Sequence, residues 1–273
     1  MSDITDFQLL WHSVSIDTTR ATAPATRALA YLLNDAVHDL TPVSSMAYVV
    51  VSGDDGHAIL EDGDPLAVVD DAADVLDVVY RRVHQRAFEL ASLRGWVRLH
   101  AATVDLPGGR ILISAESGTG KTTLACALRR AGIEVPADES VLVRNGNAIP
   151  VARRFHIKSS AVEVLPELAD VIASEPKLDE AGIVAVNPRR LGGEWHIDQR
   201  PVRALVVLER GDRTEIGEIS SVAAVPQLVD GCFRNQEALS DVFRAISSVA
   251  VSASCHRLRV GDPTDALECL LSM

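Results

Sequence analysis

Residues 111–132 read ILISAESGTGKTTLACALRRAG. Gly118, Gly120, Lys121 and Thr122 satisfy all but the first position of G-x-x-x-x-G-K-[ST], where Ala115 stands. Residues of these types at this spacing bind phosphate. Successive backbone N–H groups from Ser117, Gly118, Thr119, Gly120, Lys121, Thr122 and Thr123, together with a helix N-terminus, surround the oxygens. Lys121 then reaches the β and γ oxygens, and the Thr122 hydroxyl faces Mg²⁺. Alanine at 115 adds only a methyl group and matters only if that position needs a positive φ. The competing reading is a glycine turn that merely caps a helix. An apolar strand entering the loop and an amphipathic helix leaving it argue against that reading.

A phosphate loop alone does not choose between hydrolysis, transfer and binding. The choice lies in where an acid or base sits, and two places follow apolar runs: Glu209 after ALVVL, and Asp138 with Glu139 after IEVPA. A carboxylate beside Mg²⁺ stays ionised and can take a hydroxyl proton. Glu209 is the weaker candidate, because Arg210 and Gly211 after it read as a turn. Lys158 and Arg203 are candidates for contacting a phosphate or the substrate, and each competes with a plain surface charge. His100 competes with an ordinary strand histidine.

These residues need elements to hold them. FQLLWHSVSI reads as one strand, and MAYVVVSGDDGHAILEDG as two strands around an Asp-Gly turn. Val75, Leu76, Val79, Val83, Phe88 and Leu90 recur at helical spacing, with an acidic start and a Gly-terminated end. WVRLHAATVDLPGGRILISA reads as two strands joined by Pro-Gly-Gly. After the loop, Leu124, Ala125, Leu128 and Ala131 mark a helix's buried side, and Gly132 closes it. IEVPADESVLVRNGNAIPV reads as a strand, an acidic corner and an Asn-Gly hairpin. In 155–199 the sequence predicts a helix at SAVEVLPELADVI and a charged loop after it. VRALVVLER predicts a strand buried on both faces, and NQEALSDVFRAISSVA, SCHRLRVGD and PTDALECLL predict helix, strand, helix.

The chain has 273 residues, 47% of them hydrophobic and 4% aromatic, which suits an aliphatic α/β core. A net charge of −12 without a long basic run argues against a nucleic-acid partner. Cys126, Cys232, Cys255 and Cys269 stand far apart, which speaks against a zinc site and a disulfide framework. The N-terminus reads as no signal peptide and no apolar run approaches membrane-spanning length, so a cytoplasmic protein without membrane association is expected.

The stretch AESGTGKT, with RLHAA before the strand hairpin, GIEVPADESVLV after the loop helix and RRFHIKSS after the next hairpin, resembles the HPr kinase/phosphorylase superfamily and its kinase-like members. The likeness covers 97–158 well, the rest to 273 loosely and the first 95 residues hardly at all. The family's E-x-R-G-x-G type signature is not found between Phe155 and Arg210, and Glu139 stands where aspartate is more usual. What the resemblance implies is an α/β catalytic domain related to phosphoenolpyruvate carboxykinases, with a mixed sheet around a P-loop in 96–273. Residues 1–95 form an N-terminal accessory α+β region in that reading.

The resemblance further implies ATP and Mg²⁺ as cofactors and γ-phosphate transfer to a hydroxyl on a peptide, protein or small molecule. Asp138 matches the base, Glu139 the second acid and His100 the neighbouring histidine, with Thr122, Asp138 and Glu139 around the metal. Homo-oligomerisation is a further expectation, with the apolar tail ALECLLSM as a surface for it. A non-catalytic nucleotide-binding module and an NTP hydrolase are the alternatives.

Overall fold

The structure, a computed structural model, describes residues 4–175, 178, 182–232 and 238–273. The chain is α/β, built as two compact units, Met1–Ala91 and Ser92–Met273.

In the first unit five strands lie in chain order: Ile4–Leu9, His12–Arg20, Ser44–Gly53, Gly56–Glu61 and Asp64–Val69. Only the second and third run parallel, linked through the helix Ala23–Leu29. FQLLWHSVSI is therefore a hairpin rather than one strand. Leu10 makes the turn at φ 53° although no Gly, Asn or Asp marks it, and both turn residues, Leu10 and Trp11, are buried. The expected hairpin over Asp54 and Asp55 is present, and a further strand follows it. Asp62 and Gly63 both have positive φ, as a two-residue hairpin turn matched to strand twist requires. The long helix Ala72–Leu93 buries Val75, Val79, Val83, Ala87 and Ala91, one every fourth residue. Glu61 ties that helix to the sheet, accepting from Arg82 at 2.8 Å, Arg86 at 3.0 Å and Tyr48 at 2.9 Å.

The second unit is organised by the strand Arg200–Arg210, the VRALVVLER run. One edge pairs in parallel with Gly109–Ala115, from Ala204 opposite Ile111 to Leu208 opposite Ala115. The other edge is divided. Arg200 and Pro201 pair with Asn147–Pro150, whereas Ala204 to Arg210 pair in parallel with Ser254–Val260. Alternate residues feed two cores. Ile111, Ile113, Val206 and Leu208 meet Leu124, Leu128, Ala266 and Leu270 on one face. Leu112, Leu205 and Val207 meet Leu228, Ile246 and Val249 on the other. The strand is thus covered on both faces, which is why its sequence is continuously apolar.

The sheet's path runs Glu134–Ala137, Ala101–Leu106, Gly109–Ala115, Arg200–Arg210, Asn147–Pro150, Val141–Arg144 and Val97–Leu99. Val97–Leu99, at one end of this path, is separated from Ala101–Leu106 by His100 alone, so the sheet must curl back on itself. The chain passes between the two parts of the sheet at His100 and again at Asp138, Glu139 and Ser140.

Several sequence expectations change. SAVEVLPELADVI is not one helix but two 3₁₀ turns, Ser159–Glu163 and Pro166–Leu168, and a short helix Ala169–Ala173. Pro166 lacks the N–H that a continuous helix would use. Ala131 is exposed rather than buried, because the helix Lys121–Arg130 has already ended. Gly132 closes it at φ 82°, its N–H bonding to Arg129 O while Ile133 N–H bonds to Leu128 O. A strand, Glu215–Glu218, and a helix, Ser221–Asp230, were not anticipated. The tail elements are Leu239–Ser252, Ser254–Val260 and Pro263–Leu271; Asn235, Gln236 and Glu237 of the expected first helix lie outside the described residues, as does part of the charged loop before residue 182. Ala266 and Leu270 of ALECLLSM are in this chain's own core. No helix among the described residues is long and apolar enough to cross a membrane.

Candidate functional site

Glycine geometry shapes the loop. Gly118 and Gly120 have φ of 82° and 108°, a region that side chains with a Cβ avoid, whereas Ala115 lies outside it. The absent first glycine therefore costs the loop no backbone strain. Thr119 closes the turn, its N–H and its hydroxyl both donating to Glu116 O, at 3.2 and 2.8 Å. Glu116, Ser117 and Gly118 are exposed. Gly120 is the helix N-cap, and the helix begins at Lys121.

One flank of the loop is a charged corner. The strand Glu134–Ala137 ends at the same sheet edge as Gly109–Ala115, since both are antiparallel to Ala101–Leu106. That places Asp138 beside the helix start. Thr122 Oγ1 donates to Asp138 Oδ2 at 2.9 Å, and Lys121 Nζ donates to Asp138 O at 3.0 Å. Lys121 Nζ is also 3.1 Å from His100 Nε2. An ammonium has only donors, so Nε2 accepts and the imidazole proton sits on Nδ1, which faces Glu139 Oε1 at 3.7 Å. Glu139 Oε2 is 2.5 Å from Arg153 NH1, and Arg153 NH2 is 2.5 Å from His156 Nδ1. Arg98 Nε donates to Ser140 Oγ at 2.8 Å.

Burial dominates the electrostatics here. Asp138 is only 3% exposed, and desolvation pushes its carboxyl up to about 6 despite the nearby charges of Arg153 and Lys121. Lys121 is 8% exposed, and desolvation lowers its ammonium against the pull of Asp138 and Glu139. Desolvation, then the Lys121 charge, also lowers His100. Glu139 goes the other way from Asp138: burial raises it, but Arg153 and then His100 and Lys121 outweigh burial and hold it below the usual carboxylate range. Two adjacent carboxylates are therefore set apart by their surroundings, one biased toward the proton and one away from it.

The other flank is an open cleft of about 510 Å³, lined by Glu116, Ser117, Gly118, Thr119, Leu208, Glu209, Arg210 and Gln227. Arg210 NH2 donates to Gly118 O at 2.5 Å. Glu209 lies 2.9 Å from Arg257 and 3.6 Å from Arg259.

Of the residues singled out in the sequence, His100, Lys121, Thr122, Asp138 and Glu139 come together, and Ser117, Gly118, Thr119, Gly120 and Thr123 form the loop and first helical turn beside them. Arg203 does not. It lies at the start of its strand, with Cβ 3.2 Å from where a side chain on Gly109 would begin, and donates to Met273 O at 2.7 Å. Five residues of strand, about 16 Å, separate it from Leu208 at the loop end. Lys158 is exposed at the end of Phe155–Lys158 and takes part in none of the corner contacts described above. Glu139 faces Arg153 and His100, whereas Asp138 faces Thr122. Arg153, His156 and Arg210 were not singled out. Arg153 and His156 fall within the RRFHIKSS segment, but only the fold shows that this segment returns to the corner.

No family model matches the chain, and no curated protein matches it. A solved structure of the Hpr(Ser) kinase/phosphatase from Coxiella burnetii is similar at 12% identity and a TM-score of 0.35, over 64% of this chain and 88% of that one.

Proposed function

We propose that this protein is an ATP- and Mg²⁺-dependent kinase that transfers the γ-phosphate to a hydroxyl group. The observation that carries this reading is the contact of Lys121 and Thr122, at the head of the loop helix, with one buried carboxyl residue, Asp138. A loop that only capped a helix would have no need of an acid held against it.

The residues fit Mg²⁺. Thr122 Oγ1 and Asp138 Oδ2, 2.9 Å apart at the head of the loop helix, are two hard oxygens of the kind that ion takes. No group of three His, Cys, Asp or Glu suited to a metal is present among the described residues. The ion would be held by one carboxylate, one hydroxyl, water and substrate phosphates. When bound, the ion would neutralise phosphate charge and favour ionised Asp138.

The chain's own residues then divide the work. Loop N–H groups and Lys121 hold the phosphates. Asp138 takes the acceptor's proton as the acceptor oxygen bonds to the γ-phosphorus and the bond to the β–γ bridging oxygen breaks, leaving ADP. Glu139, fixed by Arg153, keeps His100 in the tautomer whose Nε2 holds Lys121 in place. The acceptor is a peptide, a protein or a small molecule bearing a hydroxyl.

The test is transfer from γ-labelled ATP to candidate acceptors, with Asp138→Asn as control. Loss of about 10²–10⁴-fold in rate with retained ATP binding supports the kinase. Phosphate release independent of any acceptor would instead show a hydrolase, and ATP binding with no turnover would show a binding module.

A further inference from the structure

The loop has two chemically different sides, and a nucleotide held at its phosphates must send its nucleoside to one of them. We infer that the cleft between Leu208–Arg210 and Gln227 is the nucleoside site, taking a ribonucleoside triphosphate with its ribose toward Glu209 and its base toward Gln227. This rests on the phosphate-binding reading of the loop given above.

The corner side is filled by Lys121, His100, Glu139 and Arg153 in mutual contact, and the acceptor has to reach Asp138 there. On the other side the cleft begins at the loop itself, since Ser117, Gly118 and Thr119 form its wall. It also lies beyond the carboxyl ends of two parallel strands, Gly109–Ala115 and Arg200–Arg210, which is where open α/β sheets bind ligands. Its volume of about 510 Å³ is within the range of small-molecule sites.

The lining suits a nucleoside. The Gln227 side chain is exposed on the helix Ser221–Asp230, with an amide donor and an amide acceptor to pair with a base edge. Glu209 is fixed between Arg257 and Arg259, so its carboxylate is positioned before a ribose hydroxyl arrives. Arg210 holds the loop by bonding to Gly118 O, which keeps the cleft wall and the phosphate cradle in register.

The test compares ATP with inorganic tripolyphosphate, both with Mg²⁺, by calorimetric titration of the full chain. ATP should bind about tenfold or more tighter than tripolyphosphate, because only ATP fills the cleft. Gln227→Trp, on an exposed position, should collapse that ratio toward one while leaving tripolyphosphate affinity unchanged, and Gln227→Ala should lower it by a smaller factor. Equal affinity for the two ligands in the wild type, or a ratio unmoved by both substitutions, would overturn the nucleoside site and leave the phosphate loop standing. Binding of neither ligand would remove the phosphate reading and this inference together.

Discussion

Two buried charged clusters sit at opposite ends of the strand Gly109–Ala115, and they differ in how their charges are answered. At its start, Arg110 is fully buried and bonds Asp105 through two nitrogens at 2.7 Å, Asp198 Oδ1 at 2.7 Å and the Ala148 carbonyl at 2.8 Å. There burial would raise Asp198, but hydrogen bonds from Arg200 and Arg110 hold it below its ordinary value. At the other end Lys121 meets a carbonyl and an imidazole and Asp138 meets a hydroxyl, and desolvation, which these partners do not offset, moves both groups toward their neutral forms. The first cluster satisfies itself and serves the fold. The second leaves two charges poorly answered by the protein alone, the condition expected where a ligand supplies the rest.

Substitutions should separate the two ends. Arg110→Met, which leaves Asp105 and Asp198 with only the half-exposed Arg200 as a charged partner, should cost about 3–5 kcal/mol of stability, measured by denaturant unfolding. Lys121→Met should stay within about 1 kcal/mol of wild type in the same assay, because it removes a desolvated charge, yet abolish ATP binding. Equal destabilisation by both would erase the distinction.

The next effect is the pH dependence of stability, measured without magnesium. Asp138 binds its proton more tightly folded, at about 6, than at its ordinary 3.8, so between those values the native state holds more protons than the unfolded one. Its contribution to stability is therefore largest below 3.8 and is lost as pH rises through 6, a change of about 3 kcal/mol. Asp138→Asn should remove that fall from the stability profile, and an unchanged profile would contradict the assignment. The smallest effect is local. Gly132→Ala meets no steric contact but must keep a φ of 82°, so it should cost about 1 kcal/mol, seen as a lower unfolding midpoint with unchanged ATP affinity.

Much of the second unit was legible because its signals are local. The glycine loop, the central apolar strand and the Asn145–Gly146 hairpin each declare themselves within about ten residues, and the turn residues have the positive φ their types favour. Asp138 and His100 could be nominated from order along the chain. What brings them to Lys121 is the curled sheet, which no local pattern encodes. Arg203 shows the cost of that: it shares a strand with Arg210, but only parallel register tells which end meets the loop. In the first unit the Leu10 turn was illegible because a buried leucine holds a conformation usually marked by glycine or asparagine.

The divided edge of Arg200–Arg210 has a mechanical meaning. The two parts of the sheet share that strand as a common beam, and the chain crosses the joint again at His100 and at Asp138, Glu139 and Ser140. One apolar core, with Val97, Leu99, Val141 and Val143 from one part and Leu112, Leu205 and Val207 from the other, lies across that joint, so the corner sits on a seam held by packing as well as by chain crossings.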